Sequence, residues 1–347
     1  MKKCLIIRYG AFGDNIIITP VLRQLKKDGY EIVFNGSERS QHILKGNPNI
    51  DKFIPYKSDS VPNEQLEKHW KKIIKKEKPD RVINFSESIE VAIALHPASP
   101  RYNWPRYKRL QYGKINYYEY SAQHAGYESL DDYLPEMFLT ETEEKTAQER
   151  LDNGCFNIVW GLSGSGKNKA WPWVDIIVNN ILSLVPKAHV TFVGDMPCQI
   201  LEHGWDGNPR VTCRSGKISM RESIALTKYA DLVVCPDTGL LHGAGCFNTP
   251  KIGLLGHTTK LNITKHFKND YSIEADPELS ECAPCGRLIY DAQTQCPTDS
   301  ESGAVFCMQY GIPPEKVEKR IMQVYEEREA KTRRVCESVP NLQEAIS

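Results

Sequence analysis

Three short loops in this sequence carry residue types that handle a hydroxyl or a phosphate. The first reads Arg8-Tyr9-Gly10-Ala11-Phe12-Gly13-Asp14. Its glycines let the backbone turn tightly and lie close to a ligand. Asp14 stands where a helix begins, so it is either a helix cap or a carboxylate that takes a proton from a hydroxyl nucleophile. The second loop runs from Gly161 through Ser163, Gly164, Gly166, Lys167, Asn168 and Lys169 to Pro172. It nearly matches a Walker A loop, but the next position there is a Ser or Thr that holds magnesium, and here it is Asn168. Its backbone N–H groups and lysines still suit a phosphate; a flexible surface loop is the other reading. The third is Asp237-Thr238-Gly239-Leu240-Leu241-His242, directly after the apolar run Leu232 to Cys235. Backbone N–H groups at a helix start attract anions, and Thr238 adds a hydroxyl. Asp237 would repel a diphosphate, so its place is to orient the loop. An ordinary turn and cap would use the same residues. Separately, Cys282, Cys285, Cys296 and Cys307 are spaced C-x2-C-x10-C-x10-C. Four thiolates can close a tetrahedral zinc or iron site, which would be structural because no coordination position stays open. Unligated thiols in a loop are the alternative.

These loops need strand ends to hold them. Apolar runs at Lys3–Arg8, Glu31–Asn35, Lys52–Pro55 and Arg81–Phe85 alternate with helical spacing at 14–27 and 63–78. The alternation restarts after the charged stretch Thr140–Asp152. Strands are expected at Phe156–Trp160, Val190–Gly194, Leu232–Cys235 and Lys251–Leu255, and helices at 173–184, 219–229 and 241–247. Such alternation argues for an α/β protein with parallel sheets covered by helices on both faces. The restart implies two doubly wound domains, 1–150 and 151–335, the second holding the cysteine segment 282–307 and a charged C-terminal helix. Sites in such folds lie at the carboxyl ends of strands. The chain has 347 residues, enough for two cores, and 44 basic residues against 44 acidic ones. That balance gives no global field for nucleic acid or an anionic membrane. No apolar stretch is long enough for a signal-peptide core or a membrane span. The expected location is the cytoplasm, with at most peripheral membrane contact. Thiols stay reduced there, so eleven cysteines are no disulfide framework, and their clustering points to metal. The basic stretch Arg101–Lys114 and the preceding His96–Pro100 read as an exposed loop of the first domain.

Taken together, IIRYGAFGDNIIITPVLRQLKK, Lys169-Ala170-Trp171-Pro172, Asp237-Thr238-Gly239-Leu240-Leu241-His242 and the segment from Cys307 to Val317 resemble glycosyltransferase family 9, the ADP-heptose:lipopolysaccharide heptosyltransferases. The resemblance implies the GT-B architecture, two facing Rossmann-like domains with a central cleft. It implies an inverting enzyme without a catalytic metal. The first domain would bind a lipopolysaccharide-core or other glycan acceptor, with Arg8 and Gly13 on that side and Asp14 as general base. The second would bind the nucleotide sugar, ADP-heptose by the resemblance, through Ser163, Gly164, Lys169, Asp237, Thr238, Gly239 and His242. Lys169 would neutralise the departing diphosphate. Relatives that glycosylate proteins resemble this chain in carrying a four-cysteine iron site, so a protein O-heptosyltransferase is the alternative within the class. The family's acidic ribose contact falls near Asp195 or Glu202. Trp171 reads as core or cleft wall. A P-loop kinase or NTPase, and a non-catalytic binding protein built on the cysteines, are the readings outside the class. Oligomeric state is not encoded in any pattern found.

Overall fold

Strands that are apolar without alternation must be covered on both faces, and the central strands of both sheets are of this kind. The computed structural model describes residues 2–56, 63–86, 100–287 and 296–338. In the first half, β1 (Lys2–Arg8), β2 (Tyr30–Ser37), β3 (Lys52–Tyr56) and β4 (Arg81–Asn84) form a parallel sheet ordered β3-β2-β1-β4. In the second half, β5 (Phe156–Gly161), β6 (Ala188–Val193), β7 (Val211–Cys213), β8 (Leu232–Pro236), β9 (Lys251–Leu255) and β10 (Ile273–Glu274) form another, ordered β10-β9-β8-β5-β6-β7. Read within its own half, that is the doubly wound order 3-2-1-4-5-6. All of β5, β6, β8 and β9 is buried.

Chain reversal in such a sheet leaves a crevice where neighbouring connections leave in opposite directions. In the second sheet the crevice falls between β5 and β8, at the ends that carry Gly161 and Asp237. In the first it falls between β1 and β4, at Arg8 and Asn84. The fold therefore puts all three chemistry-bearing loops at the two reversal points.

The helix expected over 14–27 is two helices, Phe12–Ile17 and Thr19–Lys27. Pro20 has no N–H to continue the first, and it opens the second. The charged stretch at the boundary forms a helix of its own, Glu141–Glu149, because Thr140 and Glu143 cap it reciprocally. Glu143 also grips Arg221 of the second half, whose side chain is almost wholly buried and donates to the carbonyls of Ile43, Lys45 and Phe138. The two halves share a hydrophobic core that joins Ile16, Ile17 and Tyr118 to Leu240, Leu241 and Phe267. The helix Pro314–Ser338 lies back on the second half, with Arg328 on Asp231 and Tyr325 edge-on to Phe156. Among the described residues no helix is long and apolar enough to cross a membrane.

Candidate active site

β1 delivers Arg8 into the interior, fully buried. Its guanidinium meets Asp14 Oδ1 at 3.2 Å and donates to the Phe85 carbonyl. Asp14 Oδ2 accepts from the Ala11 N–H at 2.7 Å, so the carboxylate does cap the helix Phe12–Ile17. It also remains one-quarter exposed, so the cap does not remove it from chemistry. Gly10 sits at φ +127, and a Cβ there would come within 2.6 Å of Asp14 Oδ2. Only glycine makes this turn without displacing the carboxylate. Arg8 thus positions Asp14. The expectation that Arg8 touches the acceptor gains no support from this geometry, since its side chain is fully buried and engaged with Asp14 and Phe85. Gly13 is buried as well. A Cβ on it would lie 2.8 Å from His242 Cδ2 and 3.4 Å from Gly239 Cα. The first loop therefore rests directly on the third.

In the second half, Ser163-Gly164 folds over Lys169 and Thr238. A Cβ at Gly164 would meet Thr238 Cγ2 at 2.6 Å and Lys169 Cδ at 2.7 Å. The Lys167–Lys169 segment is a single 3-10 turn and the next helix begins only at Val174. A Walker A lysine opens a helix directly, so the geometry departs from a P-loop at the backbone as well as at Asn168. Asn168 is buried, and both polar atoms of its amide lack a protein partner.

Asp237 is buried at the heart of the site. Its carboxylate lies 3.6 Å from His242 Nε2 and 3.5 Å from His257 Nε2, and accepts from the Thr258 hydroxyl at 3.3 Å. Burial opposes its ionisation. Lys169, His242 and His257 outweigh burial and hold the carboxyl well below the usual range. Asp237 is accordingly an orienting anion that faces the lysine and two imidazoles. Burial, then the nearby Lys169 charge, push His257 down to about 4, with Asp237 pulling the other way. His242 Nδ1 meets the Tyr118 hydroxyl at 2.8 Å, and Tyr118 belongs to the helix Tyr117–His124 of the first half. Burial raises the Tyr118 hydroxyl well above the ordinary phenol value, so it stays protonated.

Sequence reasoning missed Tyr118, His257 and Thr258. Leu255-Gly256-His257-Thr258-Thr259 is a strand-end loop with glycine, histidine and hydroxyls, the same signal that found the other three. Tyr118 carries no such signal. Of the two acidic residues considered for the ribose, Glu202 is buried and accepts from the Ser215 N–H. Asp195 stays exposed just past β6. Trp171 is core: its indole N–H donates to the Ile312 carbonyl and it stacks on Trp160.

Cys282, Cys285, Cys296 and Cys307 line one small pocket with Ala283, Gly256, Asn168 and His257, and none of the four is in a disulfide. Among the described residues no three His, Cys, Asp or Glu side chains are spaced as a finished metal cage. The donor set nonetheless fits a soft ion in its chemistry, since four sulfurs line one space. The basic stretch is not the exposed loop expected. It forms the helix Arg106–Tyr112, and Arg109 is buried. His96–Ser99 lies outside the described residues.

The glycosyltransferase family 9 (heptosyltransferase) model matches residues 202–285. No curated protein matches by sequence. A glycosyl transferase family 9 structure from Veillonella parvula is 16% identical with a TM-score of 0.66, over 94% of this chain and 97% of that one. The E. coli ADP-heptose lipopolysaccharide heptosyltransferase II is 15% identical with a TM-score of 0.64, over 95% and 100%. The iron-containing dodecameric glycosyltransferase TibC of enterotoxigenic E. coli is 13% identical with a TM-score of 0.60, over 94% and 78%. At these identities the structures carry the fold, and the expected GT-B architecture is borne out.

Proposed function

We infer that this chain, a glycosyltransferase whose residues 202–285 carry the family-9 signature, moves a sugar from a nucleoside-diphosphate donor to an acceptor hydroxyl with inversion and no catalytic metal. One observation carries this reading. The first and third loops touch at Gly13 and Gly239, and Gly164 packs on Lys169 and Thr238; on this reading Asp14 would stand on one wall of a shared cleft and Lys169 with Thr238 on the other. The acceptor oxygen would attack the anomeric carbon from the side of Asp14 and give its proton to that carboxylate. The bond from the anomeric carbon to the diphosphate oxygen would break on the opposite face. Lys169, the Thr238 hydroxyl and the free N–H groups after Thr238 would take up the charge that develops there. Fixed donors of this kind do the work of a divalent ion. Asp237 keeps Lys169 and the two histidines in place from below.

ADP-heptose is the proposed donor, because the E. coli relative of the same fold is named for it. The proposed acceptor is a lipopolysaccharide-core or other surface glycan. A protein hydroxyl is the second reading, favoured by the four-cysteine pocket and by the likeness to an iron-containing relative. Cys282, Cys285, Cys296 and Cys307 would hold zinc or iron as a structural clamp on the loop that follows Asp276. A thermal-shift series with ADP, UDP, GDP and their sugars tests the donor. ADP and ADP-heptose should raise the melting temperature and the others should not. Stabilisation by UDP or GDP compounds alone would overturn the donor, and stabilisation by none of them would overturn the enzyme reading.

A further inference from the structure

The cysteine loop belongs to the second half, yet the side chains that grip it come from the first. Arg106 donates to the Ala283 carbonyl and Arg109 to the Cys285 carbonyl. Arg287, on the loop itself, donates back to the Tyr102 carbonyl and lies over the Tyr102 ring at 4.8 Å. A few residues on, Asn262 donates to the carbonyls of Gly113 and Ile115, and Asn116 donates to Leu261. The stretch 102–116 is thus strapped across the second half, with one end on the cysteines.

The charges are one-sided. Arg106, Arg109 and Arg287 gather around this loop, and among the described residues none of the three pairs with a carboxylate. Arg109 is buried and donates to two backbone carbonyls, those of Trp104 and Cys285. Buried cations persist where an anion compensates them. Four thiolates around a divalent ion leave two net negative charges, which is the missing complement. Partners beyond the ligands orient such sites and tune their affinity.

We propose that Arg106 and Arg109 are the outer partners of a metal held by Cys282, Cys285, Cys296 and Cys307, so that metal binding latches the first half of the chain onto the second. The latch rests on the metal reading of the cysteines given above. It sets the register of the acceptor wall against the donor wall, because the strapped stretch leads directly into the helix that carries Tyr118.

The test uses the full chain purified without a metal-affinity tag. Metal content is read by elemental analysis, and zinc affinity by competition with a chromophoric chelator. Amide hydrogen exchange is compared between zinc-loaded and chelator-stripped protein. Wild type should hold about one ion per chain, and stripping should expose the amides of 106–112 while those of β1 stay protected. R106Q should weaken zinc binding about 10–100-fold and release the same amides with zinc present. R109K, which keeps the charge, should retain more affinity than R109Q. R106Q, at a position that is only partly buried, keeps the test readable if R109Q fails to fold. Stoichiometric zinc in wild type, with R106Q within twofold and exchange unmoved by stripping, overturns the latch alone. A wild type that binds neither zinc nor iron ends the metal reading and the latch together.

Discussion

Replacing Gly13 by alanine is the sharpest perturbation of the contact on which the site depends. The new Cβ would lie 2.8 Å from His242 Cδ2 and 3.4 Å from Gly239 Cα. Carbon atoms in contact normally sit about 3.5–4.0 Å apart, so something must move by about 0.7–1.2 Å. The His242 ring cannot simply swing away, because the Tyr118 hydroxyl holds Nδ1 at 2.8 Å and Asp237 faces Nε2. The Gly239 side is backbone. The strain therefore falls on the spacing between the two halves. Overpacking of this size costs about 1–3 kcal/mol, readable as a lower urea midpoint. A misplacement near 1 Å between reacting groups costs about 100-fold in rate. Gly13→Ala should lose about that much turnover, followed by nucleoside-diphosphate release from the sugar donor that stabilises wild type. Its affinity for the nucleotide, measured by calorimetry, should stay within about threefold, since the donor loops lie wholly in the second half. Turnover within threefold of wild type, with an unchanged urea midpoint, would refute the claim that the two glycine loops bear on each other.

Two further outcomes follow from the same geometry. Lys169→Ala should fold normally and lose turnover equivalent to about 2.7–4 kcal/mol of barrier, the usual worth of one donor to developing charge; near-normal turnover would remove it from the mechanism. The hydrogen bond from Arg221 lowers Glu143 from an ordinary 4.5 to about 2. A depressed carboxylate contributes stability that is complete above its unfolded value and is lost as pH falls. Unfolding free energy should therefore drop through the window from pH 4.5 towards 2, and Glu143→Gln should flatten that drop while destabilising the protein at neutral pH. An acid limb identical in wild type and Glu143→Gln would show that this pair does not hold the halves together.

Much of this architecture was legible because parallel strands write themselves as short unbroken apolar runs. The runs at β1, β5, β8 and β9 emerged within a residue or two of their expected limits. The glycine loops were found because each follows such a run. Helices at Glu38–Ile43 and Tyr117–His124 were not found, since each is a turn or two long with little periodicity to read. They form because Ser37 and Asn116 cap them and the neighbouring half covers them. The setting of Arg8 was legible only in part for a related reason. A charged residue at a strand end suggests a ligand contact, and only the fold reveals that Asp14 and the Phe85 carbonyl enclose it. Contacts between residues far apart in sequence, such as Tyr118 with His242 or Arg109 with the cysteine loop, leave no local trace.

The most direct test is sugar transfer by Asp14→Asn alongside nucleotide binding by the same protein. A general base positioned by Arg8 predicts a loss on the order of 10²–10⁴-fold in turnover with donor affinity intact. Undiminished transfer, or a parallel collapse of nucleotide binding, would contradict the placement of Asp14 opposite the diphosphate.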